Sequence, residues 1–263
     1  MTHTVKRYPN SRVATFDVGK IGKRKHHIAG LVEADVTLAR KRIRDSIKSG
    51  EKISFTSWIV KVISDSIAEN RSVQAINYGR GKQVVFDDVD ISVPIEREVR
   101  GIKVPLVGVI RSSDKKSIAD IHYEIETMKG RNVSSEDDYV LSQENSRKLN
   151  RIFFGLPQWV RLIVWRILLR NPFSIRKYIG TAMVTNVGMS GNHSGWIIPR
   201  SIHNLCIGVG SVCKKPWAFN GKLEIRSILN LTILVDHDVV DGLPAAKFTL
   251  TLIKNIEKAY GLR

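Results

Sequence analysis

The chain has 263 residues, of which 43% are hydrophobic and 25% are charged, and its formal net charge is +17. This length suits one large domain or two small ones, and without a Pro/Gly/Ser-rich linker or an internal repeat we expect a single domain over 1–263. Cys206 and Cys213 are too few for a disulfide framework, and no Cys/His cluster has the spacing of a metal site. The N-terminus lacks the basic start and apolar run of a secretory signal, so we expect a cytoplasmic protein.

The excess of positive charge attracts polyanions and acidic surfaces, and nucleic acid is one candidate partner. The basic residues are scattered over four short stretches, at 20–25, 40–44, 161–176 and 214–215. No recognised nucleic-acid motif organises these stretches. This argues against nucleic acid and leaves a solvated basic surface as the ordinary interpretation.

The hydrophobic pattern predicts an alternation of strands and helices. In chain order we predict a short strand at 13–17, a strand at 27–36, helices at 37–49 and 56–69, two paired strands at 83–86 and 90–94, a strand at 104–110, a helix at 117–128, strands at 180–185, 205–209, 223–227 and 229–235, and a closing helix at 245–260. Because strand–helix–strand repetition is not strict, the predicted class is α/β with a mixed β-sheet covered by helices, rather than a doubly wound sheet.

Segment 145–178 combines apolar residues with arginines at Arg161, Arg166 and Arg170. No uncharged run approaches the roughly 18 residues that a bilayer span requires. Three interpretations stay open: a helix pair packed over a site entrance or a subunit interface, a membrane-surface helix within 151–178, and a docking helix for another protein. Tryptophan and arginine on an apolar body suit the membrane interface.

Residues 236–242, with the letters DHDVVDG, form the most informative motif. The apolar, β-branched run at 228–235 predicts a buried strand before the motif, and helical periodicity follows it. His237 would therefore lie at the end of a core strand, exposed by a turn and near the carboxylate of Asp241. This is a suitable place for a general base. The competing interpretation is a helix start with an incidental histidine.

The motif and its continuation LPAAKF resemble the C-terminal signature of the acyltransferase subunits of 2-oxoacid dehydrogenase complexes and of chloramphenicol acetyltransferases. Further matches occur in family order over about 20–260. They lie at 25–37 (KHHIAGLVEADVT), 54–61 (SFTSWIVK), 89–93 (VDISV), 100–105 (RGIKVP) and 180–188 (GTAMVTNVG). The resemblance implies a chloramphenicol acetyltransferase-like fold, in which segment 145–178 is an atypical basic and apolar helical insert.

The resemblance also implies a coenzyme A-dependent acyltransferase. His237 matches the catalytic histidine of the family, which as a neutral imidazole takes a proton from the attacking thiol. Thr185 matches the hydroxyl that donates a hydrogen bond to the tetrahedral oxyanion, where the family has serine. Threonine keeps the hydroxyl, although its β-methyl group restricts χ1. An ordinary strand threonine is the alternative at this position.

Asp241 matches a structural aspartate of the family. We expect its carboxylate to pair with Arg24, or as second choice with Lys23, and so to hold the loop that carries His237. This pair would not touch substrate.

Other positions are implied to support the site. Asn186 would support the turn at Thr185, and Gly242 completes the motif. Asp238 departs from the family, which commonly has arginine there; an acid beside the base either raises the pKa of the base or faces solvent. The remaining histidines of interest are interpreted as structural or surface residues: His26, His27, His193 and His203.

The family implies acyl-coenzyme A as substrate, no metal, and a dihydrolipoyl thiol or another small acceptor. No lipoyl domain precedes the catalytic segment, so we expect no covalent lipoyl group on this chain and a separate lipoyl or acyl-carrier domain as partner. The phosphates of coenzyme A and an acidic carrier would suit the net charge. The family also implies a homotrimer or a larger cubic assembly, with the histidine and the hydroxyl of one site on different chains. The second hypothesis is a non-catalytic scaffold or binding protein that kept the fold and the oligomer. Association with a membrane surface would be compatible with either hypothesis.

Overall fold

A six-stranded mixed sheet forms the centre of the computed structural model, which describes residues 3–5, 10–99, 102–130, 152–188 and 194–262. Its strands are β1 (His27–Asp35), β4 (Ile91–Val99), β5 (Ile102–Ile110), β6 (Ala182–Asn186), β7 (Leu205–Phe219) and β8 (Lys222–Asp236). They lie in the order β1-β8-β7-β6-β4-β5, and β6 runs parallel to both β4 and β7 while the other pairs are antiparallel. A separate two-stranded sheet contains β2 (Ile76–Asn77) and β3 (Gln83–Val84).

Helices cover this sheet, as the sequence predicts. They are α1 (Asn10–Gly22), α2 (Thr37–Lys48), α3 (Phe55–Glu69), α4 (Ile118–Gly130), α5 (Gln158–Leu168), α6 (Pro172–Ile179) and α7 (Gly242–Glu257), with short 3-10 helices at Arg71–Gln74 and Ser113–Lys115. The core between the helices and the sheet contains Trp58 of α3 and Phe248 of α7, both fully buried. A capping box of Ser54 and Ser57 satisfies backbone donors at the start of α3.

The second half of β8 is buried on both faces. Leu231 and Ile233 belong to the core under the helices. On the other face the backbone of the 194–204 segment approaches β7 so closely that a Cβ at Gly208 would lie 2.8 Å from the carbonyl oxygen of Ile197. Burial on both faces explains why 228–235 reads as a continuous apolar run without alternation.

Three predicted details are wrong. Residues 13–17 lie in α1 and not in a strand. The buried or half-buried residues Ala14, Asp17 and Ile21 are three and four positions apart, which is the spacing of one helix face, and a segment of five residues is too short to show it. The strands predicted at 83–86 and 90–94 do not pair with each other: β3 pairs with β2 across a tight turn, and β4 pairs with β5 and β6. The two strands predicted at 223–227 and 229–235 are one continuous strand, β8.

Segment 145–178 contains a helix pair, α5 and α6, within its described part; its first residues, 145–151, lie outside the described residues. The buried Arg161 of α5 binds the fully buried Asp17 of α1, with Nε 2.7 Å from Oδ2 and Nη2 2.9 Å from Oδ1. Arg176 of α6 binds Asp88 at 2.8 Å and Asp90 at 2.9 Å. Both helices are therefore fixed to the body of the protein by charged hydrogen bonds.

Candidate active site

The exposed imidazole of His237 lies immediately after the last residue of β8. Its backbone N–H donates to the carbonyl oxygen of His26 at 3.0 Å, which extends the β1–β8 pairing by one hydrogen bond. Val239 and Val240 donate to the carbonyl oxygen of Asp236 and close the turn, and the Val240 side chain is buried. The backbone of the loop is thus fixed while the imidazole faces outwards, as the sequence predicts.

An ion pair braces the base of this loop. The Nζ atom of Lys25 lies 2.9 Å from Oδ2 of Asp236, whose side chain is only 3% exposed. Lys25 also donates to the side chain of Asn204, and the carbonyl oxygen of Asn204 accepts from the backbone N–H of Asp236 at 2.8 Å. The carboxylate of Asp236, directly before His237, is therefore held by the positive charge of Lys25, which lies just before β1.

The predicted pair between Asp241 and Arg24 is not formed. Asp241 is exposed, precedes α7 and makes no side-chain capping bond, and within the part of the chain that the structure describes it has no ion pair with Arg24 or Lys23. The reason lies in the register: His27 pairs with Asp236, so Lys25 is the cation nearest the end of β8. Sequence reasoning missed this pair because it requires the register of two distant strands.

Asp238 interacts with His26 and not with the candidate base. The Nδ1 atom of His26 lies 2.9 Å from both carboxylate oxygens of Asp238, on the exposed surface. The hydrogen bond to Asp238, aided by its negative charge, raises the pKa of His26 above its usual value. Asp238, where the family commonly has arginine, thus acts on the imidazole of His26, the residue just before β1.

His203 is a structural residue, as the sequence predicts. Its Nε2 atom lies 2.7 Å from the carbonyl oxygen of Ile179, so this nitrogen carries the proton, and Nδ1 lies 3.2 Å from the hydroxyl of Ser201, which donates to it. Complete burial lowers the pKa of His203 to about 4. The nearby His27 bonds to the carbonyl oxygen of His203 through Nε2 at 2.9 Å. His193 lies outside the described residues.

Thr185 lies near the end of β6 and is half-buried. The next residue, Asn186, accepts a hydrogen bond from the N–H of Gly188 at 3.0 Å and donates to the hydroxyl of Thr56 in α3 at 3.1 Å. These two bonds fix the chain directly after Thr185. Gly242, in contrast, has an ordinary φ and open space where a Cβ would lie, so nothing in its backbone requires glycine.

The structure does not bring Thr185 and His237 together within one chain. Thr185 pairs with Gly208 of β7, which in turn pairs with Thr232 of β8. His237 lies five residues beyond Thr232, so the two are separated by about 16 Å along the strands and about 10 Å across them. A single copy therefore presents the imidazole and the hydroxyl at two distant places.

A cavity of about 150 Å³ lies beside Lys25 and Asn204, two of the residues that brace the loop of His237. Lys25, His203 and Asn204 form part of its wall, together with apolar residues that include Leu169, which follows α5, and Ile175 of α6. Neither His237 nor Thr185 lines it. Among the described residues, no group of three or more His, Cys, Asp and Glu could hold a metal ion.

Comparisons with known proteins identify the family to which this chain is similar. The model of the 2-oxoacid dehydrogenases acyltransferase (catalytic domain) family matches residues 25–136 and 178–262, leaving most of the predicted insert unmatched. A curated relative is the dihydrolipoyllysine-residue succinyltransferase component of the 2-oxoglutarate dehydrogenase complex from Buchnera aphidicola subsp. Schizaphis graminum, 23% identical over 80% of this chain. The chain spans only 43% of the length of that relative.

Solved structures of other proteins have a fold similar to that of this chain. A probable dihydrolipoamide acetyltransferase from Listeria monocytogenes 4b F2365 has a TM-score of 0.69 at 20% identity, covering 98% of this chain and 96% of that chain. The cubic core of a pyruvate dehydrogenase multienzyme complex has a TM-score of 0.66 at 18% identity, with coverage of 97% and 92%. These likenesses confirm the predicted fold. With the family match over most of its length, the chain belongs to the 2-oxoacid dehydrogenase acyltransferase (catalytic domain) family.

Proposed function

We propose that the chain transfers an acyl group between coenzyme A and a dihydrolipoyl thiol, with His237 as the general base. The observation that carries this proposal is the placement of His237: its imidazole is exposed, while its backbone is bonded to β1 and the preceding Asp236 is buried and ion-paired. A catalytic group needs a fixed backbone and an accessible reacting atom. Membership of the family supports the reaction class.

In this proposal the neutral imidazole of His237 accepts the proton of the attacking thiol. The resulting thiolate attacks the carbonyl carbon of the thioester, and the carbonyl oxygen becomes an oxyanion. The hydroxyl of Thr185 donates a hydrogen bond to that oxyanion, which stabilises the developing negative charge. Collapse of the intermediate breaks the original carbon–sulfur bond, and the imidazolium returns its proton to the departing sulfur.

We propose that each site is shared between two copies of the chain. The separation of Thr185 and His237 within one copy supports this, because a hydrogen-bond donor must lie about 3 Å from the oxyanion it stabilises. A closed ring of three copies would let each histidine meet the threonine of a neighbour. A larger cubic assembly is a further proposal.

The partners of the reaction are also proposals. Acyl-coenzyme A is the proposed donor, and a lipoyl group on a separate lipoyl or acyl-carrier domain is the proposed acceptor. The net charge of +17 supports anionic partners of both kinds. A cytoplasmic location is proposed as well.

The test uses the whole chain with acetyl-coenzyme A and a panel of dihydrolipoamide, a lipoylated domain, and small alcohols and amines. Loss of acetyl-coenzyme A and formation of the acetylated acceptor are followed by chromatography, because exchange of one thiol for another leaves the total thiol unchanged. We expect turnover with a dithiol acceptor, and a loss of about 10²–10⁴-fold for His237→Ala. The matched control is His3→Ala, which removes an exposed histidine outside the site.

The alternative hypothesis is a non-catalytic scaffold or binding protein. It predicts that no acceptor supports turnover and that coenzyme A does not bind. Turnover that is equal in His237→Ala and wild type would instead leave the enzyme class intact and remove His237 from the mechanism.

A further inference from the structure

Helix α5 presents an apolar face to solvent. Trp159 and Ile167 are 67% and 65% exposed, and Ile163 lies between them at the same i, i+4, i+8 spacing. The opposite face of the helix is buried through Arg161 and Trp165. A surface helix of a soluble domain normally buries its apolar stripe and exposes its polar one. The exposed stripe of α5 therefore indicates a partner.

This face is held in place and is not the result of loose packing. Arg161 anchors α5 to Asp17 of α1, and Arg176 anchors α6 to Asp88 and Asp90. Both anchors are charge-assisted hydrogen bonds to carboxylates that are half-buried or buried. The protein thus fixes the orientation in which the apolar stripe faces outwards.

The surroundings of the stripe are cationic. The described stretch 152–188, which contains α5 and α6, has five Lys and Arg residues and no Asp or Glu, and two of the five, Arg161 and Arg176, are bound to aspartates. Arg166 and Arg170 are exposed and follow the stripe at helical spacing, so their charges lie along its edge.

We propose that this surface, the exposed face of α5 with Arg166 and Arg170 at its edge, docks on the surface of an anionic membrane. A bilayer with acidic lipids offers an apolar layer for Trp159, Ile163 and Ile167 and negative headgroups for the arginines. A two-fold contact between copies through this face would place Arg166 and Arg170 of one copy near those of the other, so an anionic membrane fits the charge of the face better. Within the described residues no helix is long and apolar enough to span a bilayer.

The experiment measures sedimentation of the whole chain with vesicles of phosphatidylcholine containing 30% phosphatidylglycerol, against vesicles of phosphatidylcholine alone. We expect binding to the anionic vesicles that weakens as salt is added. Arg166→Gln combined with Arg170→Gln should lower the partition coefficient about 30-fold. Trp159→Ser combined with Ile167→Ser should abolish binding, whereas Leu250→Ser, which removes a similarly exposed leucine from α7, should not change it.

Absence of binding to anionic vesicles at every salt concentration would overturn the proposal. So would binding that is unaffected by both double variants. Dissociation of an oligomer by Trp159→Ser/Ile167→Ser, without vesicle binding by the wild type, would assign the face to a contact between copies. The sedimentation needs no substrate, so its result is independent of the proposed acyl transfer.

Discussion

The Nζ atom of Lys25 lies 2.9 Å from the carboxylate of Asp236, so the cation before β1 holds the residue that precedes the candidate base. Lys25→Met would leave a carboxylate with 3% exposure without its partner. We expect this to destabilise the protein by about 2–3 kcal/mol and to lower turnover, because the loop loses its brace.

The matched control is Arg24→Met, which removes the neighbouring exposed cation and should cost less than about 0.5 kcal/mol. Urea unfolding and initial rates are measured for both variants. Equal effects of the two substitutions would show that Lys25 has no special role.

Asp241→Asn tests the family's structural aspartate in this chain. Because Asp241 is exposed and has no ion pair with Arg24, we expect a change in the free energy of unfolding of less than about 1 kcal/mol, which is the scale of a charge at a helix N-terminus. Thermal unfolding of the assembled protein measures it. A loss of several kcal/mol would mean that Asp241 finds a partner in a neighbouring copy.

The His26–Asp238 pair should depend on pH. The carboxylate of Asp238 raises the pKa of His26, so the folded state binds its proton more tightly than the unfolded state. The stabilisation is complete below the ordinary histidine pKa of about 6.5 and is lost as pH rises through the raised value. In an NMR titration of the His26 ring protons, Asp238→Asn should shift the midpoint to lower pH. An unchanged midpoint would contradict the pairing.

Two substitutions at Thr185 distinguish the effect of its hydroxyl on the rate from the effect of its branched shape. Thr185→Val keeps the branched side chain and removes the donor, so we expect kcat to fall by about 100–1000-fold. Thr185→Ser keeps the donor and should retain most of the activity. The pair is compared in steady-state acyl transfer. Equal rates for the two variants would make Thr185 an ordinary strand residue.

Mixed assemblies test whether the site is shared between copies. His237→Ala and Thr185→Val chains are unfolded together, refolded at equal concentration and assayed. If the two groups of each site come from neighbouring chains, about a quarter of the sites regain both wild-type residues, and activity rises above that of either variant alone. If both groups act within one chain, mixing restores nothing.

The placement of His237 could be predicted because the signals for it are local. An apolar run, a polar motif and a helical pattern follow one another within about 30 residues. The bond from the N–H of Gly188 to Asn186 is local in the same sense, whereas the bond from Asn186 to Thr56 joins residues 130 apart.

The ion pairs between distant parts of the chain could not be predicted in this way. Lys25 and Asp236 are 211 residues apart, and their contact depends on which residues of β1 and β8 are in register. Arg161 and Asp17 are 144 residues apart and meet only because α5 packs on α1. Local periodicity does not determine such contacts, and the predicted pair of Asp241 with Arg24 is wrong for that reason.

The pairing of β1 with β8 also constrains how the protein can be made. β1 is an edge strand whose partner in the sheet is β8, and about 200 residues must be synthesised after β1 before β8 is complete. At 5–20 residues per second this takes about 10–40 s, during which β1 has no strand to bond with. β1 therefore presents an unpaired strand edge for that time, and the imidazole of His237 is positioned only when β1 and β8 have paired.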